Sequence, residues 1–225
     1  MKKFFFFAAA LVAAATINAE TYDFETMSIA EGDLTVVNGT VTNNAEKGYF
    51  EVKNNACEIV ELSLKQVPNV KFTYKNSAVK TAFKVSPEKY IQFDGDQRDI
   101  TFTGLAVGTE ITMSVASKGT TANSFEDSES KGKALTGCVW VSGNKTLAPK
   151  GDALVFEEIK VQAAASTVTI RTTAGGYCLN KLTIGGTTAI DNTVVEAKAT
   201  KYMENGALVI VKNGVKYNAL GAVIE

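Results

Sequence analysis

Apolar and polar residues alternate along most of the chain in short runs, which is the pattern of β-strands with one buried face. The clearest runs lie at residues 159–162, 167–171 and 182–184. Small, turn-permissive residues separate them at 163–166 and 172–176, so we expect these strands to fold back on one another in antiparallel fashion. Their apolar face needs a second sheet to cover it, and the preceding residues can supply one.

The same alternation recurs between residues 20 and 141. Predicted strands lie at 20–25, 49–52, 58–64, 70–74, 90–93, 99–103, 110–115 and 134–141. Asn38 and Gly39 form the strongest short hairpin signal, and the polar residues 117–133 predict a long surface loop. Because turn residues separate strands at regular intervals and helical periodicity is lacking, the fold expected over residues 20–186 is an all-β, antiparallel β-sandwich.

The first nineteen residues have the features of a secretory signal peptide. Lys2 and Lys3 precede an apolar run at 4–15, and the small residue Ala19 ends a plausible cleavage site. An apolar run of about a dozen residues is too short to span a bilayer, which favours a cleaved signal over a membrane anchor. We therefore expect export, with no membrane span left in the mature chain.

Charge argues against two classes of partner. Removal of Lys2 and Lys3 leaves 21 basic residues (23 minus 2) against 24 acidic ones, so the net charge moves from -1 to -3. This mild imbalance provides no electrostatic footprint for nucleic acid or for an anionic lipid surface.

The last part of the chain differs in composition from the sandwich. Residues 187–200 lack aromatic side chains, which suits a linker. In residues 201–225, the turn dipeptides Asn205–Gly206 and Asn213–Gly214 bracket a strand at 207–212. This pattern predicts a small three-strand meander, or hairpin-containing tail, at the C-terminus.

The residue inventory excludes most catalytic mechanisms. The chain contains no histidine, so Ser/His/Asp and Cys/His nucleophilic sites and histidine-based metal sites are ruled out. Paired carboxylates remain, as in a carboxylate-dependent glycosidase, and the candidate pairs are Asp94 with Asp96 and Glu157 with Glu158. Neighbours in a strand face opposite sides, which argues against the second pair. We expect a protein that is not an enzyme.

One loop has the composition of a cation site. Asp94, Asp96 and Asp99 surround Gly95 within six residues and could gather oxygen ligands around Ca²⁺, although the spacing is not that of an EF-hand. Alternatively, Arg98 neutralises the acids in an ordinary charged turn. No other cofactor is expected.

Aromatic residues supply the candidate binding site. If Val139 and Val141 face the core, Trp140 lies on the outer face of its strand and could stack on a sugar ring. In the opposite arrangement Cys138 and Trp140 point inward. Tyr90 and Tyr177 are further candidates for the same role.

Cysteine usage leaves two arrangements open. The chain has three cysteines, an odd number for an exported protein. Cys138 and Cys178 both lie in apolar strand contexts, and either one disulfide or three buried thiols would fit.

Two stretches resemble known families. Residues 90–186, with DITFTGLAVGTEITMSVASKG early and STVTIRTTAGGYCLNKLTIGG at the end, resemble jelly-roll modules of exported Bacteroidetes proteins. Such modules often accompany carbohydrate-active enzymes such as pectate lyases. NGALVIVKNGVKYNALGAVIE is similar to the terminal part of the C-terminal sorting domain of the type IX secretion system. The upstream half of that domain is not evident, and a hairpin that completes the main sheet is the alternative.

These resemblances imply a jelly-roll fold, recognition of a polysaccharide, and engagement of the secretion machinery by the tail. The expected function is therefore that of an exported, non-catalytic glycan-binding or carbohydrate-utilisation accessory protein, secreted or at the cell surface. The alternative is a surface structural or adhesion protein that binds a protein partner through residues 117–133 or an exposed sheet edge.

Overall fold

The computed structural model describes residues 19–187, 200–204, 207–212, 215–218 and 223–224. The chain forms two compact units that divide between Thr187 and Thr188. The predicted signal peptide up to residue 18 and the linker at 188–199 lie outside the described residues.

The first unit is built from seventeen strands, β1 to β17. In chain order they are Glu20–Asp23, Leu34–Val37, Gly39–Asn44, Tyr49–Asn54, Ile59–Leu64, Val67–Lys75, Thr81–Ser86, Tyr90–Phe93, Arg98–Thr103, Thr109–Ser117, Asn123–Ser124, Leu135–Thr136, Cys138–Ser142, Thr146–Leu147, Glu157–Ala163, Thr167–Arg171 and Tyr177–Thr187. Among the described residues the only helical segment is the 3-10 turn Glu31–Asp33.

Two large antiparallel sheets contain most of these strands. The nine-stranded sheet has the order β13-β15-β10-β17-β8-β7-β4-β3, and β1 also pairs with β17. The six-stranded sheet has the order β12-β16-β9-β6-β5-β2, and a separate two-stranded ribbon joins β11 to β14. The predicted all-β antiparallel sandwich is confirmed.

Alternating side chains of both sheets fill one core. In β4 and β5, and in β6 from Val70 onward, every second residue is buried, as the alternation predicts. Aromatic rings join the two layers: Phe72 of the six-stranded sheet lies 5.5 Å from Phe93 of the nine-stranded sheet, centroid to centroid. Phe93 in turn stacks on Tyr177 at 4.1 Å. Such ring contacts add to the free energy gained from apolar burial.

The strands at 159–162, 167–171 and 182–184 do not pair with one another, so that prediction was wrong. The first belongs to β15 and the third to β17, both of which pair with β10 in the nine-stranded sheet. The second, β16, pairs with β9 in the six-stranded sheet. The segments between these strands therefore carry the chain from one sheet of the sandwich to the other and back.

Asn38 and Gly39 do not form a hairpin, contrary to the prediction. β2 pairs with β5 in one sheet and β3 pairs with β4 in the other, so the dipeptide is a corner between layers. Asn38 has a φ of 56°, and a Cβ at Gly39 would lie 2.5 Å from the Lys53 carbonyl oxygen. Asn38 takes the left-handed conformation that a hairpin turn also uses, whereas Gly39 is needed for the close approach to Lys53, so the same dipeptide serves a corner instead of a hairpin.

The predicted surface loop at 117–133 is partly structured. Its residues Asn123 and Ser124 form β11, which pairs with β14, and Phe125 is 2% exposed in the core. A single aromatic side chain thus anchors an otherwise polar segment to the sandwich.

The second unit is a four-stranded sheet with the order β18-β19-β20-β21. These strands are Thr200–Glu204, Ala207–Lys212, Val215–Asn218 and Val223–Ile224. The predicted strand at 207–212 is confirmed, and the sheet has one strand more than the predicted meander. The two Asn–Gly dipeptides lie outside the described residues.

Candidate functional site

Trp140 lies on β13, an edge strand of the nine-stranded sheet as described. Val139 and Val141 are 52% and 49% exposed, whereas Cys138 and Trp140 are half-buried and pack against the core. Of the two arrangements that the sequence allowed, the inward orientation of Trp140 is therefore the observed one. The indole still retains an accessible part because β13 is short and lies at the margin of the sandwich.

Two contacts hold the indole in place. Its Nε1–H donates to the Gly143 carbonyl oxygen at 3.3 Å. One side of the ring packs against Phe125, with centroids 6.3 Å apart, and Phe125 contacts the Tyr177 ring at 5.6 Å. Gly143 has a φ of 93°, a conformation that glycine adopts without strain. Trp140 is thus the outer end of a row of aromatic rings that begins in the core.

An open groove of about 470 Å³ lies beside the indole. It is lined by Phe125, Glu126, Asp127, Lys133, Leu135, Val139, Trp140 and Lys145. The Lys145 ammonium lies 5.9 Å from the centroid of the indole, within the range of a cation–π contact. We call this feature the Trp140 groove.

The charged side chains of the Trp140 groove are largely uncommitted. In the described part of the chain, neither Lys133 nor Lys145 is in an ion pair with a carboxylate. Asp127 accepts a hydrogen bond from the Ala134 amide at 2.9 Å, and Glu126 is exposed. The groove therefore combines an aromatic surface with hydrogen-bond donors and acceptors that are open to solvent.

Most residues of this groove were missed at the sequence level. Phe125, Lys133 and Lys145 lie fifteen, seven and five positions from Trp140, in segments that read as polar loops. The one available signal was Phe125, the only aromatic residue between 117 and 133. An isolated aromatic in a long polar segment indicates a point where that segment is tied to the core.

Tyr90 and Tyr177 do not join Trp140 in one binding surface. Tyr177 is 0% exposed, and burial raises the pKa of its phenol well above the usual range. Its ring is not available to a sugar, so the expectation for Tyr177 was wrong. Tyr90 is half-buried at the start of β8, where burial also raises its pKa, and it does not line the Trp140 groove.

The turn at residues 94–98 is organised around a buried guanidinium. Arg98 is 3% exposed, and its guanidinium carbon lies 3.1 Å from the centroid of the Tyr74 ring. Its nitrogens donate to the carbonyl oxygens of Asp94, Asp96, Thr81 and Ala82. We call this feature the Arg98 turn.

The carboxylates of the Arg98 turn are occupied by lysines. Asp94 contacts the Lys118 ammonium, lies 3.6 Å from the Lys84 ammonium and accepts from Gln92 at 2.8 Å. Asp96 lies 3.0 Å from the Lys131 ammonium. Within the described ranges, no group of three or more carboxylate, thiolate or imidazole side chains could hold a metal. Ca²⁺ would have to displace these ammonium groups, so the arrangement does not fit the expected cation site.

The second pair of carboxylates is divided by the pleat of β15. Glu157 accepts from the Asn144 amide at 2.6 Å, whereas Glu158 is exposed. Neighbouring residues in a strand point to opposite faces, so the two do not flank one bond.

The three cysteines are free thiols in different environments. Cys57 is exposed, Cys138 is half-buried and Cys178 is 1% exposed. Burial raises the pKa of Cys138 to about 11 and that of Cys178 to about 12. The thiol arrangement is observed rather than the disulfide, although Cys57 is not buried as that prediction required.

No protein-family model, curated protein or solved structure matches this chain. In the described part of the molecule, no helix is long and apolar enough to cross a membrane. The Trp140 groove and the Arg98 turn are the two features of the described residues that bear on function.

Proposed function

We propose that this protein is an exported, non-catalytic glycan-binding protein, and that the Trp140 groove holds the glycan. The observation that carries the proposal is the half-buried indole beside uncommitted charged side chains in an open groove. Sugar rings present C–H groups on one face and hydroxyl groups at their edges. The C–H groups can stack on the electron-rich face of an indole, and the hydroxyls can form hydrogen bonds with ammonium and carboxylate groups.

The rigidity of the indole supports the same proposal. Trp140 is fixed on its inner side by Phe125 and at its nitrogen by Gly143, so little rotamer freedom remains for a ligand to remove. A preorganised side chain loses less conformational entropy on binding than a mobile one. The groove is also shallow and open, which suits an extended polymer rather than a small enclosed substrate.

Export is the second part of the proposal. Residues 1–19 act as a cleaved signal peptide, and β1 begins at Glu20, directly after the proposed cleavage site. The tail at 201–225 engages a type IX secretion machinery, as the resemblance of its sequence implies, and delivers the sandwich to the cell surface or the medium. Fractionation of cells that express the intact chain, with mass measurement of the mature N-terminus and C-terminus, tests both steps.

Glycan binding is tested with purified mature protein. Electrophoresis through gels that contain one polysaccharide each, over neutral and acidic polymers, measures retardation of the folded protein. We expect retardation by at least one polymer together with a shift in tryptophan emission, because Trp140 is the only tryptophan. Unchanged mobility and emission across the whole panel would contradict the proposal.

Adhesion to a protein partner is the second candidate function, and one observation favours it. Val139 and Val141 are about half exposed on the edge strand β13, where a partner strand or apolar surface could bind. Glycan-independent binding to a surface protein that is lost in Val141→Lys, which lies outside the Trp140 groove, would favour this function. Retention of glycan binding in the same variant would separate the two.

A further inference from the structure

Strand β3, residues Gly39–Asn44, forms an uncovered edge of the nine-stranded sheet. It pairs with β4 on one side, and in the described part of the chain no strand pairs with its other side. Proteins usually protect such an edge with a charged residue, a proline or a bulge, because its free backbone groups accept a further strand. β3 has none of these features: its sequence is GTVTNN, and it pairs with β4 without a register shift.

The other edge strands of the two large sheets are shorter or irregular. β13, at the opposite end of the nine-stranded sheet, has a register shift between Trp140 and Ser142. β12 has two residues, and β1 and β2 have four residues each. With six residues, β3 is therefore the longest regular edge among the described strands of these sheets.

The hydrogen bonds next to β3 show which of its backbone groups are free. The Asn55 amide donates to the Asn38 carbonyl oxygen at 2.9 Å, whereas the Asn54 amide donates to Lys80 on the other side of β4. Because the bonds of an antiparallel pair recur at every second residue, the even-numbered residues of β3 bond to β4. The residues whose amides and carbonyls point to the uncovered side are Gly39, Val41 and Asn43.

The side chains of β3 restrict which strand can cover it. On the inner face, Val41 lies beside Val52 of β4, which lies beside Phe83 of β7, and Val41 packs against the core although it is only half-buried. On the outer face, Thr40 and Thr42 are exposed and uncharged. A covering strand therefore has to place an apolar residue against Val41 and neutral residues against the two threonines.

We infer that a second copy of this chain covers β3, with the two β3 strands antiparallel and Val41 opposite Val41 on a twofold axis. In this register, Thr40 lies opposite Thr42 and Gly39 lies opposite Asn43, so inner faces meet inner faces and every outward backbone group is paired. A shift by one residue would set inner side chains against outer ones. A shift by two would leave Gly39 or Asn43 without a partner.

This dimer is expected to be weak and to leave the Trp140 groove accessible. One pair of six-residue strands buries a small interface, which corresponds to a dissociation constant on the order of 10–100 µM. β13 lies at the opposite end of the sheet from β3, so neither groove is covered. The inference therefore does not depend on the proposed glycan-binding function.

Sedimentation velocity of the mature protein, from about 5 to about 500 µM, measures the association. We expect monomers at the lowest concentration and dimers at the highest. Asn43→Pro removes an outward amide without breaking a bond to β4, so this variant should stay monomeric throughout the range. Val141→Lys, on the opposite edge strand β13, should dimerise like the native protein.

Two charge variants test the register. Thr40→Glu combined with Thr42→Glu opposes like charges across the twofold axis, whereas Thr40→Glu combined with Thr42→Lys opposes unlike charges. We expect the first pair to weaken association at least about tenfold and the second to retain it. The two variants differ in one exposed side chain, and circular dichroism verifies that both are folded.

Several results would overturn the inference. One is a native protein that stays monomeric at the highest concentration, and another is a dimer that persists in Asn43→Pro. Loss of the dimer in Val141→Lys would place the interface on β13 instead. Equal association of the two charge variants would contradict the register, and this comparison decides the question if Asn43→Pro does not fold.

Discussion

The Trp140 groove and the Arg98 turn contain the residues that the sequence marked for binding, and they differ in whether those residues already have partners. In the Arg98 turn, lysines occupy both carboxylates and the guanidinium bonds to four backbone carbonyls. In the Trp140 groove, Lys133 and Lys145 form no ion pair with the described residues, and part of the indole remains open. A cluster of polar residues is available to a ligand only when its charged and hydrogen-bonding groups are not already paired within the protein.

This difference predicts that Arg98 stabilises the fold. Among the substitutions considered below, we expect its replacement to lower the free energy of unfolding most. Replacement of Arg98 by Met removes a buried donor to four carbonyls and the stacking partner of Tyr74, so we expect a loss of about 3 kcal/mol in the free energy of unfolding. Urea titration followed by circular dichroism measures it.

Arg171 provides the matched control. It pairs with Asp99 through two bonds of 2.6 and 2.7 Å, but the pair lies nearer the surface. Arg171→Met should cost less than about 1 kcal/mol. Equal losses for the two variants would contradict the structural role of the buried guanidinium.

Trp140 is expected to govern glycan affinity, with a smaller effect on stability. Trp140→Ala should weaken binding to the retarding polysaccharide at least tenfold, or about 1.4 kcal/mol, because the stacking surface is lost. Val141→Thr changes an exposed neighbour outside the groove and should leave the affinity unchanged. If both variants bind like the native protein, the glycan lies elsewhere.

Asp94 should contribute to stability through its lysine partners rather than through a cation. Asp94→Asn is expected to lower the free energy of unfolding by about 1 kcal/mol, since Lys84 and Lys118 lose their counter-charge. Millimolar Ca²⁺ should leave the melting temperature of the native protein unchanged. A Ca²⁺-dependent increase that disappears in Asp94→Asn would restore the calcium site.

The reactivity of the native cysteines should also distinguish the closed Arg98 turn from the open Trp140 groove. Burial raises the pKa of Cys178 to about 12, next to the closed Arg98 turn, and that of Cys138 to about 11, next to the open groove. At pH 8 both are almost wholly protonated, and the thiolate is the reactive form. Exposed Cys57 should therefore react first with a disulfide reagent, Cys138 slowly and Cys178 last, as peptide mass measurement can show. Faster reaction of Cys178 than of Cys138 would contradict this order.

The alternation of apolar and polar residues was sufficient to predict the fold class and most strands. Strands 90–93 and 167–171 were predicted with their observed ends. The sheet to which each strand belongs was not predictable, because an Asn–Gly dipeptide can serve a corner between sheets, with only Asn38 left-handed, as well as a hairpin within one sheet. Pairing depends on which apolar faces meet across the core, and local pattern does not encode that.

The candidate site was less accessible to sequence reasoning than the fold. Trp140 could be chosen from its residue type, but its orientation depended on Val139 and Val141, which are apolar and yet exposed at a sheet edge. The groove lysines, Lys133 and Lys145, lie in segments that show no alternation of apolar and polar residues. Tyr177 was mistaken for a surface residue because an aromatic strand residue looks the same in sequence whether it faces the core or the solvent.

The most direct test of the central claim is one nitrogen–proton correlation spectrum, recorded with and without the polysaccharide that retards the protein. The single tryptophan gives one indole peak, and the Arg98 Nε–H gives a marker for the closed turn. The account predicts that the indole peak shifts progressively with glycan concentration while the Arg98 peak stays in place. A stationary indole peak, or a shift of the Arg98 peak alone, would contradict it.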